Sequence, residues 1–101
     1  MKYAVPTDDG TTVGKTFGRA VSFAIFDQTD SNMVIIENAG ISAEHGAGTG
    51  AAAFLADKGV GVVIAPEVGL KAAQALAAAG IKIAATSSGT PLRTAMDAHR
   101  T

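Results

Sequence analysis

The sequence predicts an α/β fold in which a mixed five-stranded sheet carries helices on both faces, its elements running β-β-β-α-β-α-β-α. Three observations predict it. The second half alternates short β-branched runs with helically spaced apolar stripes, as crossover units do. Each of the first two stripes ends on a glycine, Gly59 and Gly80, where a helix terminus favours a left-handed residue. The first half instead contains two apolar runs separated by a few polar residues, the pattern of a hairpin.

Taken in order, residues 3–5 form a short apolar strand that Pro6 and the polar stretch Thr7-Asp8-Asp9-Gly10-Thr11-Thr12 are expected to end. Residues 21–27 and Met33–Glu37 are the hairpin strands, rich in aromatic and branched side chains and joined through Gln28-Thr29-Asp30-Ser31-Asn32. Residues 39–50 hold four glycines and few large apolar groups, and read as a long loop entering a helix marked by Ala51, Phe54 and Leu55. Val60–Ala65 is a continuous apolar run, typical of a central parallel strand covered on both faces. Leu70, Ala73 and Leu76 mark the next helix, and residues 81–85 the last strand. Thr90-Pro91 begins a final helix, with a hydroxyl at the cap and proline at the first helical position. Leu92, Ala95, Met96 and His99 make its apolar face, and Arg93 and Asp97 can pair on the other. Right-handed crossovers are expected to put helices on both sides of the sheet.

At 101 residues the chain has room for one domain, residues 1–101, able to bury about 60 to 70 per cent of its unfolded surface. A net charge of −1 gives no basic field for a phosphate backbone, so neither nucleic acid nor an anionic membrane is an expected partner. The chain contains no cysteine, which excludes a disulfide framework and any thiolate-ligated zinc or iron–sulfur site built from it alone. The N-terminal apolar run is too short for a secretory signal, and no apolar stretch approaches the roughly 20 residues that span a bilayer, so a cytoplasmic location is expected.

Ligands of open α/β sheets bind beyond the carboxyl ends of the parallel strands. Those ends lead into residues 6–20, 66–69 and 86–90, which hold Gly14-Lys15-Thr16-Phe17-Gly18-Arg19-Ala20, Pro66-Glu67-Val68-Gly69 and Thr86-Ser87-Ser88-Gly89-Thr90. The glycine-rich Glu44-His45-Gly46-Ala47-Gly48-Thr49-Gly50 segment opens the first helix.

Several of these features together resemble the dinitrogenase iron-molybdenum cofactor biosynthesis family. They are the lysine-led first strand ending at Pro6, the Phe17-Gly18-Arg19-Ala20 turn before an aromatic-rich strand, and Ile36-Glu37-Asn38 closing the hairpin. His45-Gly46-Ala47-Gly48, Val62-Val63-Ile64-Ala65, Gly69 before an alanine-rich helix, and Ala79-Gly80-Ile81-Lys82-Ile83 follow in matching order, so the resemblance runs nearly end to end. It implies a three-layer, ribonuclease-H-like α/β/α fold without nuclease activity. It also implies binding of the iron-molybdenum cofactor, its precursor or a related molybdenum-containing metal–sulfur cluster, with a donor or acceptor protein as partner and a role in nitrogen fixation. The chain departs from the pattern at Thr16, where members often carry histidine.

An anionic, sulfide-rich cluster brings its own soft ligands and needs charge compensation and shape. Glycines at 46, 48 and 50 let amides approach it from a helix N-terminus, where the dipole adds favourable potential. The cofactor-binding candidates are accordingly Phe17, Gly18, Arg19, Gly46, Gly48, Gly69 and Ser88, with His45 as the metal candidate. Each has a plainer reading. His45 is either a ligand or a solvated loop side chain, and His99, on the apolar face of the last helix, is structural. Arg19 either meets the ligand or forms a salt bridge with Asp8 or Asp9. Phe17 is more readily an anchor packed beneath its loop than a pocket wall. Glu67 suits a helix N-terminus without any ligand, and one of Thr86, Ser88 and Thr90 is expected to cap the last helix.

Other function classes have less support. Gly46-Ala47-Gly48-Thr49-Gly50-Ala51 fits the loose dinucleotide pattern of a nucleotide-binding module, but that fingerprint needs a strand running into its first glycine. No nucleophile elbow, metal-spaced acidic pair or Ser/His/Asp arrangement is present, so no enzyme activity is expected. A cofactor-free protein-interaction domain would leave the glycine loops without a ligand.

Overall fold

The computed structural model describes residues 1–27, 32–39 and 47–99. Eight elements follow in the expected order: β1 (Lys2–Thr7), β2 (Ser22–Asp27), β3 (Met33–Glu37), α1 (Ala47–Asp57), β4 (Val60–Ala65), α2 (Leu70–Ala78), β5 (Lys82–Ala85) and α3 (Leu92–His99). The five strands form one sheet in the order β3-β2-β1-β4-β5. β1 pairs antiparallel with β2 and parallel with β4, β2 antiparallel with β3, and β4 parallel with β5.

The strand alternation divides the core in two. Ala4, Phe23, Val63 and Ala65 face Ala51, Ala52 and Leu55 of α1 and Ala72 and Leu76 of α2. Tyr3, Val5, Ala24, Phe26, Val62 and Ile64 face Leu92, Ala95 and Met96 of α3. The Tyr3 and Phe26 rings, paired across β1 and β2, stack with centroids 5.0 Å apart. Each fully buried large side chain contributes about 1.5–3 kcal/mol. The result is three layers, with both crossover helices on one face and α3 alone on the other. The crossovers themselves therefore do not supply helices to both faces, although the sequence predicts that they would; the second face is covered by α3. Both crossovers step the same way across the sheet, from β3 past β2 and β1 to β4 and from β4 to β5, and connections of one hand then fall on one side.

Pro6 does not end β1, which continues to Thr7 with Pro6 opposite Phe23. Proline is tolerated because the ladder to β4 runs over Lys2, Tyr3 and Ala4, and the Pro6 carbonyl accepts the Gly14 N–H at 2.8 Å. β5 begins at Lys82, not Ile81, whose buried side chain closes the turn from α2. Gly59 and Gly80 adopt φ of +79° and +78°, as expected of residues that end helices. α1 starts at Ala47, so Ala47 to Gly50 belong to its first turn and not to the entering loop. Among the described residues no helix is long and apolar enough to cross a membrane.

Candidate functional site

The segment after β1 shapes the carboxyl end of the sheet, and its own side chains hold it rigidly. Asp9 begins the turn: one carboxylate oxygen accepts the N–H groups of Thr11 and Thr12 at 2.8 Å each, and the other accepts the Thr12 hydroxyl at 2.8 Å. These donors, led by the Thr11 N–H, hold the Asp9 carboxyl well below the usual carboxylate range. Gly10 follows with φ of +77°, donating its N–H to Thr7 Oγ1. Val13 then drops into the α3-side core, whereas Phe17 and Ala20 drop into the core beneath α1 and α2. The segment therefore straddles the end of the sheet and is anchored on both faces.

Two other segments brace it. Val13 N–H donates to Thr90 O, Gly89 N–H to Val13 O and Leu92 N–H to Thr11 O, at 2.8, 2.8 and 3.0 Å, which zips the loop after β1 to the start of α3. On the other side the buried Asn38 donates its side-chain amide to Gly18 O at 3.1 Å and Ala20 O at 2.9 Å. Its backbone N–H donates to Val21 O, while Val21 N–H is held by Asp8 Oδ1.

Between this braced segment and α2 lies an open groove of about 620 Å³ lined by Thr16, Phe17, Gly18, Arg19, Glu67 and the first turn of α2 from Gly69 to Ala72. Phe17 is buried, 1% exposed, and its ring lies 5.4 Å from that of Phe23. The packed-anchor reading therefore holds, with the ring set beneath the groove as its floor. Arg19 is exposed, and among the described residues no carboxylate lies within ion-pair distance of it; Asp8 and Asp9 are occupied by loop N–H groups instead. Gly69 is the N-cap of α2 and offers no side-chain cap, and the first turn of the helix carries no acidic residue. Its leading N–H groups therefore face the groove without a side-chain acceptor. Lys71, in that same turn, adds a second cation, and Glu67 a single opposing charge. Leu70, 75% exposed, forms an apolar lip.

α1 packs beside α2 and, running antiparallel to the β4 that follows it, also points its N-terminus to this end of the sheet. Its first turn, which contains Gly48, likewise carries no acidic residue. The structure thus gathers Phe17, Gly18, Arg19 and Gly69 into one groove. It does not place Ser88 with them. Ser88 lines a second depression of about 410 Å³ with Asp8, Asp9, Thr12, Lys15 and Gly89, because the zipper to Val13 draws the loop after β5 toward that side. His45 and Gly46 lie outside the described residues. The dinucleotide pattern lacks its strand, since β3 ends at Glu37 and Gly48 and Gly50 are already helical. His99 Nε2 lies 3.1 Å from Ala85 O, tying α3 to the end of β5, as a structural histidine does. Among the described residues no group of histidine, cysteine and carboxylate side chains could hold a bare metal ion.

Two contributors escaped the sequence reading. Asn38 appeared there only as the end of a hairpin, and nothing in its position announced that its amide would reach back to residues 18 and 20. Lys71 did leave a signal: a cation in the first turn of a helix opposes the dipole, and such local conflicts mark sites of function.

Comparison with known proteins places this architecture in a group. A family described as dinitrogenase iron-molybdenum cofactor matches residues 1–101. An uncharacterized protein of Methanocaldococcus jannaschii is 34% identical over 86 residues, covering 82% of this chain and 72% of its own length. Among solved structures, the apo form of the orange protein from Desulfovibrio gigas superposes with a TM-score of 0.86 at 37% identity, covering 95% of this chain and 83% of that one. The NMR structure of a candidate NifB protein from Thermotoga gives a TM-score of 0.78 at 35% identity, over 96% and 84% of the two chains.

Proposed function

This chain belongs to the dinitrogenase iron-molybdenum cofactor family, and from that premise we propose that it binds and carries an anionic metal–sulfur cluster, a molybdenum-containing cofactor or its precursor, in the groove between residues 16–19 and the start of α2. The observation that carries this reading is the convergence of Arg19, Lys71 and the uncapped N-terminus of α2 on one groove above the buried Phe17. The donor set suits a cargo that arrives already ligated by sulfide. It offers cations, amides and an apolar lip, and no thiolate. Fixed N–H groups and a guanidinium stabilise a delocalised anion without displacing its own ligands. Carrying demands no proton transfer, and we assign the chain no enzymatic role.

Gly48 belongs to the same reading, since the first turn of α1 supplies further amides at this end of the sheet. Gly48→Val is expected to weaken cluster retention more than His45→Ala where amides dominate, and less where the imidazole coordinates a metal. The test is anaerobic titration with tetrathiomolybdate and with iron-molybdenum cofactor, followed by gel filtration, metal analysis and visible spectroscopy. The expected result is stoichiometric retained metal with a shifted charge-transfer band, falling about two- to fivefold in affinity for Arg19→Ala, the loss of one charged contact at an exposed site. Absence of retained metal under either condition would refute the proposal in favour of a cofactor-free interaction domain.

A further inference from the structure

α1 packs against β4 and α2 against β5, which leaves the outer strands β2 and β3 only partly covered on that face of the sheet. There Ile25 and its cross-strand neighbour Val34, with Ile36 two residues further along β3, form an apolar strip. Ile25 and Ile36 are half-buried and Val34 is 59% exposed. On the opposite face β2 is covered, with Ala24 and Phe26 buried against the side that α3 closes. The strip is therefore confined to one face.

A depression of about 330 Å³ lies over this strip, and Lys2 of β1 and Lys58, just before β4, line it as well. The strand register explains the layout. Lys2 stands opposite Asp27, and Ala4 opposite Ile25 opposite Val34, so a charged row lies beside an apolar one on the same face. Lys2 and Ile25 are diagonal neighbours across β1 and β2, about 7–8 Å apart, so the apolar floor begins on β2 next to the lysine. Lys2 Nζ donates to Lys58 O at 3.3 Å, and Lys58 Nζ lies 5.6 Å from the centre of the Phe54 ring. Each ammonium keeps further N–H donors. The one carboxylate of the lining, Asp27, faces the N-terminal ammonium at 3.9 Å. Cations thus outnumber it at the polar end.

We infer that this depression binds an amphipathic monoanion, an aliphatic carboxylate whose head meets Lys2 and Lys58 and whose chain lies across Ile25 onto Val34 and Ile36. From β1 to β3 is two strand spacings, about 10 Å. At roughly 1.2 Å per extended bond, that distance takes a chain of about eight carbons. The cavity volume lies at the small end of the range of about 300–1,000 Å³ typical of small-molecule sites. Because the depression is open on one side, a bound chain keeps part of its surface in water, and each methylene should tighten binding about twofold. The site is separate from the cluster groove, which lies at the other end of the parallel strands, so neither reading depends on the other.

The experiment is an amide chemical-shift titration of the whole chain with sodium octanoate, sodium butanoate and octylammonium chloride. Octanoate is expected to shift Lys2, Ile25, Val34, Ile36 and Lys58 saturably, butanoate to bind about tenfold more weakly, the scale of four methylenes, and octylammonium to bind more weakly than octanoate. Lys58→Gln should weaken octanoate about two- to fivefold, the scale of an exposed ion pair. Lys2→Gln combined with Lys58→Gln should erase the preference for octanoate over octylammonium. Val34→Asp, at an exposed position, should remove saturable octanoate binding while its melting temperature stays near that of the parent. Equal binding of octanoate and octylammonium to the parent chain, no dependence on chain length, or shifts centred on Gly18, Arg19 and Gly69 would overturn the inference. So would a self-association that moves the same amides on concentrating the chain while octanoate moves none of them.

Discussion

Asn38→Ala removes the brace that sets the Phe17-Gly18-Arg19-Ala20 turn. In the native structure the Asn38 side-chain amide satisfies two carbonyls, Gly18 O and Ala20 O, and both Asn38 and Ala20 are buried, at 3% and 0% exposure. Alanine cannot donate to either oxygen, and the interior admits little water to replace the donor. At about 0.5–1.5 kcal/mol net for each neutral hydrogen bond, the two together are worth about 1–3 kcal/mol. With a urea m-value of about 1–3 kcal/mol/M for a small domain, the unfolding midpoint should fall by about 1 M at unchanged slope. The melting temperature should fall by about 4–8 °C per kcal/mol. Asn38→Asp is the sharper companion, since it keeps the side-chain size but turns an ionised acceptor toward two carbonyl oxygens. It should destabilise more than alanine at neutral pH and recover part of the loss at pH low enough to protonate the new carboxyl. Urea unfolding monitored by circular dichroism measures both. A change below about 0.5 kcal/mol for Asn38→Ala, the range of an ordinary surface substitution, would refute the reasoning.

Phe17→Ala, which empties a fully buried site beneath the groove, should cost about 3–5 kcal/mol by the same unfolding assay. Phe17→Leu should cost less and leave cluster retention measurable, separating the ring's packing role from the groove's integrity. Asp9 has its acidity raised by the turn N–H groups, so its contribution to stability is complete above the unfolded carboxyl pKa of about 3.9 and is lost as pH falls below that toward its depressed folded value. Melting temperatures recorded from pH 6 down to pH 2 should decline less steeply for Asp9→Asn than for the parent chain.

The order of elements was legible because Val60–Ala65 and its neighbours alternate with helical stripes punctuated by Gly59 and Gly80, and both glycines take the left-handed backbone that such positions require. The groove was legible in part. Phe17, Gly18, Arg19 and Gly69 stand on loops at one end of parallel strands, and topology alone brings those loops together. Ser88 was misplaced because its loop is steered by backbone bonds from Val13 to Gly89 and Thr90, a long-range pairing that leaves no mark in composition. The start of α1 was set too late because glycines lower helix propensity, which packing of Ala51, Ala52 and Leu55 against the sheet overrides. Pro6 was given the weight it has in a strand paired on both sides, whereas the β4 ladder stops before reaching it.

The most direct test of the central claim is an anaerobic amide chemical-shift titration of the isotopically labelled chain with tetrathiomolybdate, a diamagnetic anion with sulfide ligands. Saturable shifts are expected at Thr16, Gly18, Arg19, Gly69, Leu70 and Lys71, with no comparable change at Ser88, and those shifts should be lost in an Arg19→Gln, Lys71→Gln double variant that melts like the parent. Shifts centred on Ser88, Gly89 and Lys15, or shifts that persist in the double variant, would contradict cluster binding in the groove.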